Sequence, residues 1–214
     1  MSSQPFTVYL TTKDSICSGV ILNETTILTA GHCLFAQDDI RVYAGVVNKS
    51  NLTRPLAIAA MHLSPGYDNV RLTEDIAIIK LAKPLVFNET VHAVTPYYHH
   101  IDEVGREAFV TGWGVQLDGK LTRNVRTLRV RVYENEACER KYGTDYDESR
   151  HICAGAQEQD FCVGDSGGPL VMYMRKKPYL IGVVSYTGPQ CSDSRPSVYT
   201  KLSAYRSFIE RYIS

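Results

Sequence analysis

The sequence predicts an all-β chain, folded as a barrel or sandwich and ending in one helix. Three observations carry that reading. Short runs rich in β-branched and aromatic residues recur along most of the chain. Gly and Asn turn signals separate them. One stretch, the last, has convincing helical periodicity.

The runs come in two groups. The first comprises Phe6 to Leu10, Ser18 to Leu22, Ile27 to Ala30, Ile40 to Val47 and Ile76 to Leu81. The second comprises Ala108 to Thr111, Thr127 to Val132, Leu170 to Met174, Leu180 to Ser185 and Ser197 to Lys201. Regular short strands of this kind close into barrels or pack as sandwiches. At the end, Tyr205, Phe208, Ile209, Tyr212 and Ile213 fall at helical spacing and make one apolar face, with Ser203 as the expected N-cap. That face is read as packing against the body of the protein.

A chain of 214 residues suits one large domain or two small ones. Its 23 basic and 23 acidic residues cancel, which gives no reason to expect nucleic acid or an anionic membrane as partner. No apolar run approaches the roughly 20 residues needed to span a bilayer. Repeats and low-complexity segments are absent.

The most specific stretch is Gly164-Asp165-Ser166-Gly167-Gly168-Pro169. Residues with little side chain leave the Ser166 hydroxyl open and the backbone free to turn. The N–H groups of Gly164 and Ser166 can then point together, where a developing oxyanion would sit. A glycine-rich turn is the plain alternative, and residues upstream weigh against it. A serine hydroxyl needs a base. His32, in Leu28-Thr29-Ala30-Gly31-His32-Cys33, follows the short run Thr26 to Leu28 and lies at a strand end. Asp75 leads the apolar run Ile76-Ala77-Ile78-Ile79, whose strand carries it into the interior, where a carboxylate can fix an imidazole tautomer.

These residues resemble the chymotrypsin-like (trypsin-fold) serine peptidases. The likeness rests on Thr29 to Cys33, Asp75 to Leu81, Gly112-Trp113-Gly114, Gly164 to Pro169 and Pro196 to Thr200. The chain order His, Asp, Ser distinguishes this family from other triad hydrolases. The match runs from about Pro5 to the C-terminus. It implies two six-stranded antiparallel β-barrels with a C-terminal α-helix, as one peptidase domain over residues 1–214. The first barrel would cover about 5–95, the second about 105–202 and the helix about 203–213. The site would lie in the cleft, with His32 and Asp75 from the first barrel and Ser166 from the second. The implied activity is a secreted serine endopeptidase that works through an acyl-enzyme without a cofactor. Protein or peptide substrates and protein protease inhibitors would be its partners, and a monomer its form.

The resemblance would pair Cys17 with Cys33, Cys138 with Cys153 and Cys162 with Cys191. Each closes a short loop, worth on the order of 3 kcal/mol. No C-x-x-C spacing points to zinc. Four sequons, at Asn23, Asn48, Asn51 and Asn88, together with an even cysteine count, favour an oxidising secretory compartment and mark glycosylation candidates. Some relatives bind calcium in a loop rich in carboxylates. The matching stretch here, Val46 to Pro55, contains no Asp or Glu, so no calcium site is expected there.

By resemblance, Asp160 is the floor of the primary specificity pocket, and an acid there selects Lys or Arg. Phe161 beside it, and Thr187 and Ser197 on the walls, depart from the trypsin pattern and should narrow the pocket. A buried, unpaired carboxylate in a narrow pocket is costly. In the alternative reading Phe161 turns Asp160 away and the pocket takes small or apolar side chains. Ser185, Tyr186 and Thr187 match the segment that pairs with the substrate backbone as an added strand.

Active members of the family begin with an Ile- or Val-led tetrapeptide whose freed ammonium pairs with the acid before the serine, here Asp165. This chain reads Met1-Ser2-Ser3-Gln4-Pro5-Phe6 ahead of the first strand. The expectation is a zymogen-like, weakly active chain in which Asp165 favours another position. The competing functional classes are a non-catalytic homologue serving as a binding or regulatory module, and an adhesive disulfide-rich domain. His99-His100 with Asp102 and Glu103 reads as a solvated loop. Arg123, Arg126, Arg129 and Arg131 read as a solvated edge, with Arg129 and Arg131 on one face. His62, His92 and His151 have no constellation around them.

Overall fold

The computed structural model describes residues 4–13, 15–99, 104–115, 120–156, 164–188 and 196–213. Six strands form the first sheet: β1 (Thr7–Thr11), β2 (Ile16–Asn23), β3 (Thr26–Thr29), β4 (Arg41–Tyr43), β5 (Ile58–Leu63) and β6 (Ala77–Leu81). Their spatial order is β4-β1-β2-β3-β6-β5, antiparallel throughout. The Leu56 N–H donates to the Val42 carbonyl at 2.8 Å and draws the two ends of the sheet together.

The second sheet contains β7 (Thr95–Pro96), β8 (Glu107–Gly112), β9 (Arg126–Val132), β10 (His151–Gly155), β11 (Pro169–Met174), β12 (Lys177–Tyr186) and β13 (Ser197–Lys201). The order is β11-β8-β9-β10-β13-β12-β7, and a β11–β12 pairing closes six of these strands on themselves. The seventh, β7, lies in the connection between the sheets and pairs parallel to β12. Helix α1 (Asn135–Tyr142) lies between β9 and β10, and α2 (Arg206–Ile213) ends the chain.

Burial follows the apolar runs. Ile21, Ile27, Leu28, Ile76, Ile78 and Ile79 are fully buried in the first barrel. Each such side chain contributes about 1.5–3 kcal/mol. Ala108, Val110, Leu170, Val184 and Tyr199 fill the second. The run Ile40 to Val47 yields only the three residues of β4, because the backbone turns at Gly45, where φ is +69°.

Helix α2 begins later than expected. Residues Leu202–Tyr205 form a 3-10 turn, no side chain caps it, and Ser203 lies inside that turn rather than at an N-cap. Ile209 of α2 is fully buried in the core of the first barrel, with Phe208, Tyr212 and Ile213 packed against it. The C-terminal carbonyls of α2 are held by the first barrel. Tyr212 O accepts from Thr26 Oγ1 at 3.1 Å and Lys80 Nζ at 2.7 Å, and Ile213 O from Asn23 Nδ2 at 2.5 Å. Carbonyls that end a helix without an intrahelical partner are thereby satisfied.

Candidate active site

His32 sits in a 3-10 turn, Gly31–Cys33, where β3 leaves the sheet. The Cys17–Cys33 disulfide ties that turn to β2. A side chain at Gly31 would meet Tyr67 at 2.8 Å and Asp75 Oδ1 at 3.2 Å, so a larger residue there would press on both. Asp75 ends a loop in which Glu74 holds φ at +51°. The Glu74 carboxylate accepts from Ser64 Oγ at 2.6 Å and from the Gly66 N–H at 3.1 Å.

Asp75 is 0% exposed. Its Oδ1 accepts from the His32 N–H at 2.8 Å, and its Oδ2 lies 2.8 Å from His32 Nδ1. Ser185 Oγ donates to Oδ2 at 2.5 Å, and Thr200 Oγ1 donates to the Asp75 carbonyl at 2.8 Å. Burial opposes the carboxylate charge. The adjacent imidazole and the donors from His32 and Ser185 outweigh that and hold the Asp75 pKa below the usual carboxylate range. Burial likewise disfavours the imidazolium, but the Asp75 charge and its hydrogen bond raise the His32 pKa. With Nδ1–H donated to Asp75, Nε2 is left to accept a proton.

Ser166 arrives from the second barrel through a turn built of glycines. Gly164 and Gly167 have φ of +102° and +76°, which favour glycine. The Cβ position at Gly167 lies 2.2 Å from Thr29 Oγ1 and 2.8 Å from the Ala30 nitrogen. No larger residue could bring the turn this close to the strand that leads to His32. The Ser18 N–H donates to the Ser166 carbonyl at 2.7 Å, and Ser18 Oγ donates to the Gly164 carbonyl at 3.2 Å. Among the described residues no carbonyl accepts from the N–H of Gly164 or Ser166, and no hydrogen bond joins the Ser166 hydroxyl to the His32 ring.

Asp165 turns away from Ser166 into a space left by two glycines. The Gly114 N–H donates to its Oδ1 at 2.8 Å. Side chains at Gly112 and Gly114 would come within 2.0 and 2.1 Å of its carboxylate oxygens. Between them Trp113 is fully buried, its ring edge-on to Tyr9 with centroids 5.2 Å apart.

Ser197 Oγ donates to Thr187 Oγ1 at 2.7 Å and bridges β13 to the residue after β12. Tyr186 is half-buried, its ring edge-on to Tyr142 and His151, and its hydroxyl donates to the Asp145 carbonyl at 2.7 Å. Asp160, Phe161 and the expected Cys162–Cys191 bridge lie outside the described residues. The other two expected disulfides, Cys17–Cys33 and Cys138–Cys153, are present. Cys17, His32 and Cys33 are the one compact group of metal-ligand atoms among the described residues, and both sulfurs are committed to the disulfide. Arg129 and Arg131 are both exposed on β9, with Arg129 paired to Glu107 at 3.1 Å.

Three features escaped the sequence. The hydroxyl of Ser185 meets Asp75 because β12 shifts register between Val184 and Tyr186, which re-aims the residue between them. Lys141, on α1, donates to the Pro196 carbonyl at 3.2 Å. His151 is buried and accepts from the Asp147 N–H at 3.0 Å through Nδ1. Burial lowers its pKa to about 4.

The Trypsin family model matches residues 1–209. The chain belongs to the trypsin family. It is a trypsin-like serine protease by family, with the two-sheet architecture described above. It is 32% identical over 217 residues to the venom peptide isomerase heavy chain of Agelenopsis aperta, covering 94% of this chain and 88% of that one. It is also 32% identical over 199 residues to trypsin iota of Drosophila melanogaster, covering 90% of this chain and 77% of the relative. Among the described residues of this trypsin-family chain, no helix is long and apolar enough to cross a membrane.

Proposed function

We propose that this protein is a secreted serine endopeptidase. The observation that carries the reading is the buried Asp75 carboxylate bonded to both the backbone and Nδ1 of His32, with the Ser166 turn packed against the same strand end. Ser166 Oγ attacks a peptide carbonyl while His32 Nε2 takes its proton, and the imidazolium returns that proton to the leaving amine. Water then attacks the acyl-enzyme by the same route in reverse. Asp75 fixes the tautomer and offsets the imidazolium charge. The N–H groups of Gly164 and Ser166 receive the oxyanion. The mechanism requires the Ser166 hydroxyl to close on Nε2, a contact that often tightens only with substrate bound.

Asp160 supports cleavage after Lys or Arg. The Ser197–Thr187 bridge favours a second reading, in which the pocket is shortened and takes small or apolar side chains. A fluorogenic peptide library separates the two, with cleavage after Ala or Val overturning the first. The activating partner of Asp165 is the ammonium of an Ile- or Val-led N-terminus. Covalent labelling by a fluorophosphonate tests the whole reading on a processed form. Labelling that Ser166→Ala abolishes supports it. An unlabelled protein that still binds peptides would make it a binding module instead.

A further inference from the structure

The four sequons share one pattern, and the fold puts their amide nitrogens in different surroundings. At Asn23, Nδ2 donates to the Ile213 carbonyl at 2.5 Å, and Oδ1 accepts from the Thr25 N–H at 2.9 Å. That nitrogen belongs to the clamp that holds the end of α2, beside Thr26 and Lys80. A sugar on it would occupy the space of the last helical turn. Asn48 is half-buried where its backbone bridges to Asn124. Asn51 is exposed at the end of a short 3-10 turn.

Asn88 is the best presented. It is exposed in the loop between β6 and β7, and its Oδ1 accepts from the Thr90 N–H at 2.8 Å, from Thr90 Oγ1 at 2.9 Å and from the Val91 N–H at 3.0 Å. The oxygen is fully used inward, while Nδ2 has no hydrogen-bond acceptor among the described residues.

We propose that Asn88 is an N-glycosylation site and that Asn23 is not, because its amide nitrogen caps α2. The inference rests on the secretory reading above. In the transfer, Asn88 Nδ2 forms a bond to C1 of the sugar. The C1–O bond to a lipid-linked diphosphate breaks, the amide gives up one proton, and the lipid diphosphate leaves.

The test expresses the full chain behind a heterologous leader in a eukaryotic secretory host and maps glycopeptides by mass. Wild type should carry a glycan at Asn88 and none at Asn23. Asn88→Gln and Thr90→Ala should each remove that glycan, and Thr90→Ser should retain it. Asn23→Gln should leave the glycan mass unchanged while lowering the melting temperature, since α2 loses a cap. Oxidised, secreted protein with a bare Asn88, or with a sugar on Asn23 and an unchanged melting temperature, would overturn the proposal. Free Cys17 and Cys33 thiols in the product would overturn the secretory reading and the glycan with it.

Discussion

The two halves of the candidate site are positioned by different means. In the first half, His32 and Asp75 are fixed by what is present: two hydrogen bonds between them, and donors from Ser185 and Thr200 that reach across from β12 and β13 of the second barrel. In the second half, backbone N–H donors also hold Ser166 and Asp165, but what admits them is missing side chains. Gly112, Gly114 and Gly167 leave spaces into which a carboxylate or a strand end fits. A hydrogen-bonded half should therefore fail through charge and tautomer, and a glycine-lined half through collision.

The largest expected break is Asp75→Asn. With its oxygen kept by the His32 N–H, the amide turns its NH2 to Nδ1 as a donor, so Nε2 carries the proton and ceases to be a base. A loss of about 10⁴-fold in kcat with an intact fold is the expected outcome, measured by burst kinetics and circular dichroism. A loss under tenfold would remove Asp75 from the mechanism.

His151 is a buried histidine, this one without a carboxylate partner on its ring among the described residues. Its folded pKa is about 4, against about 6.5 when exposed. The unfolded chain therefore binds a proton that the folded chain refuses. Its contribution is whole above about pH 6.5 and is lost as pH falls towards 4. The difference approaches about 3 kcal/mol. Urea unfolding at pH 7 and pH 4.5 should show a smaller acid-induced loss for His151→Gln than for wild type.

Gly114→Ala tests the steric side. Its methyl would overlap Asp165, and either the carboxylate or the strand must move. Stability should drop by about 1–3 kcal/mol, and labelling of Ser166 should slow while the His32 titration stays in place. A displaced His32 titration would mean that the halves are not independent.

Ser185→Ala is the smallest expected effect. Asp75 loses one donor and keeps two from His32. Activity should fall roughly tenfold, the price of one hydrogen bond to a charged group. His32 should still titrate above the ordinary histidine range, seen as an acid limb of kcat/KM above about pH 6.5.

The strands that read clearly were those with β-branched side chains, such as the runs Ile27 to Ala30 and Ile76 to Leu81, which form β3 (Thr26–Thr29) and β6 (Ala77–Leu81). β5 (Ile58-Ala59-Ala60-Met61-His62-Leu63) and β10 (His151-Ile152-Cys153-Ala154-Gly155) were illegible. Their Ala, Met, Cys and Gly have little strand preference of their own, and pairing with neighbours imposes the conformation. Helix α1 buries only Cys138 completely, so it shows little apolar periodicity and is held by the disulfide to Cys153.

The candidate residues His32, Asp75 and Ser166, and the glycines around them, are legible in the sequence because each stands in a short local pattern. Tertiary structure alone decided that Ser185, 110 positions from Asp75, would reach its carboxylate, that Thr187 and Ser197 would bond to each other, and that Asn23 would hold the end of α2. The physical reason is that a hydroxyl or an amide has no fixed partner along the chain. Strand register and a bulge select its partner only after the barrels have closed.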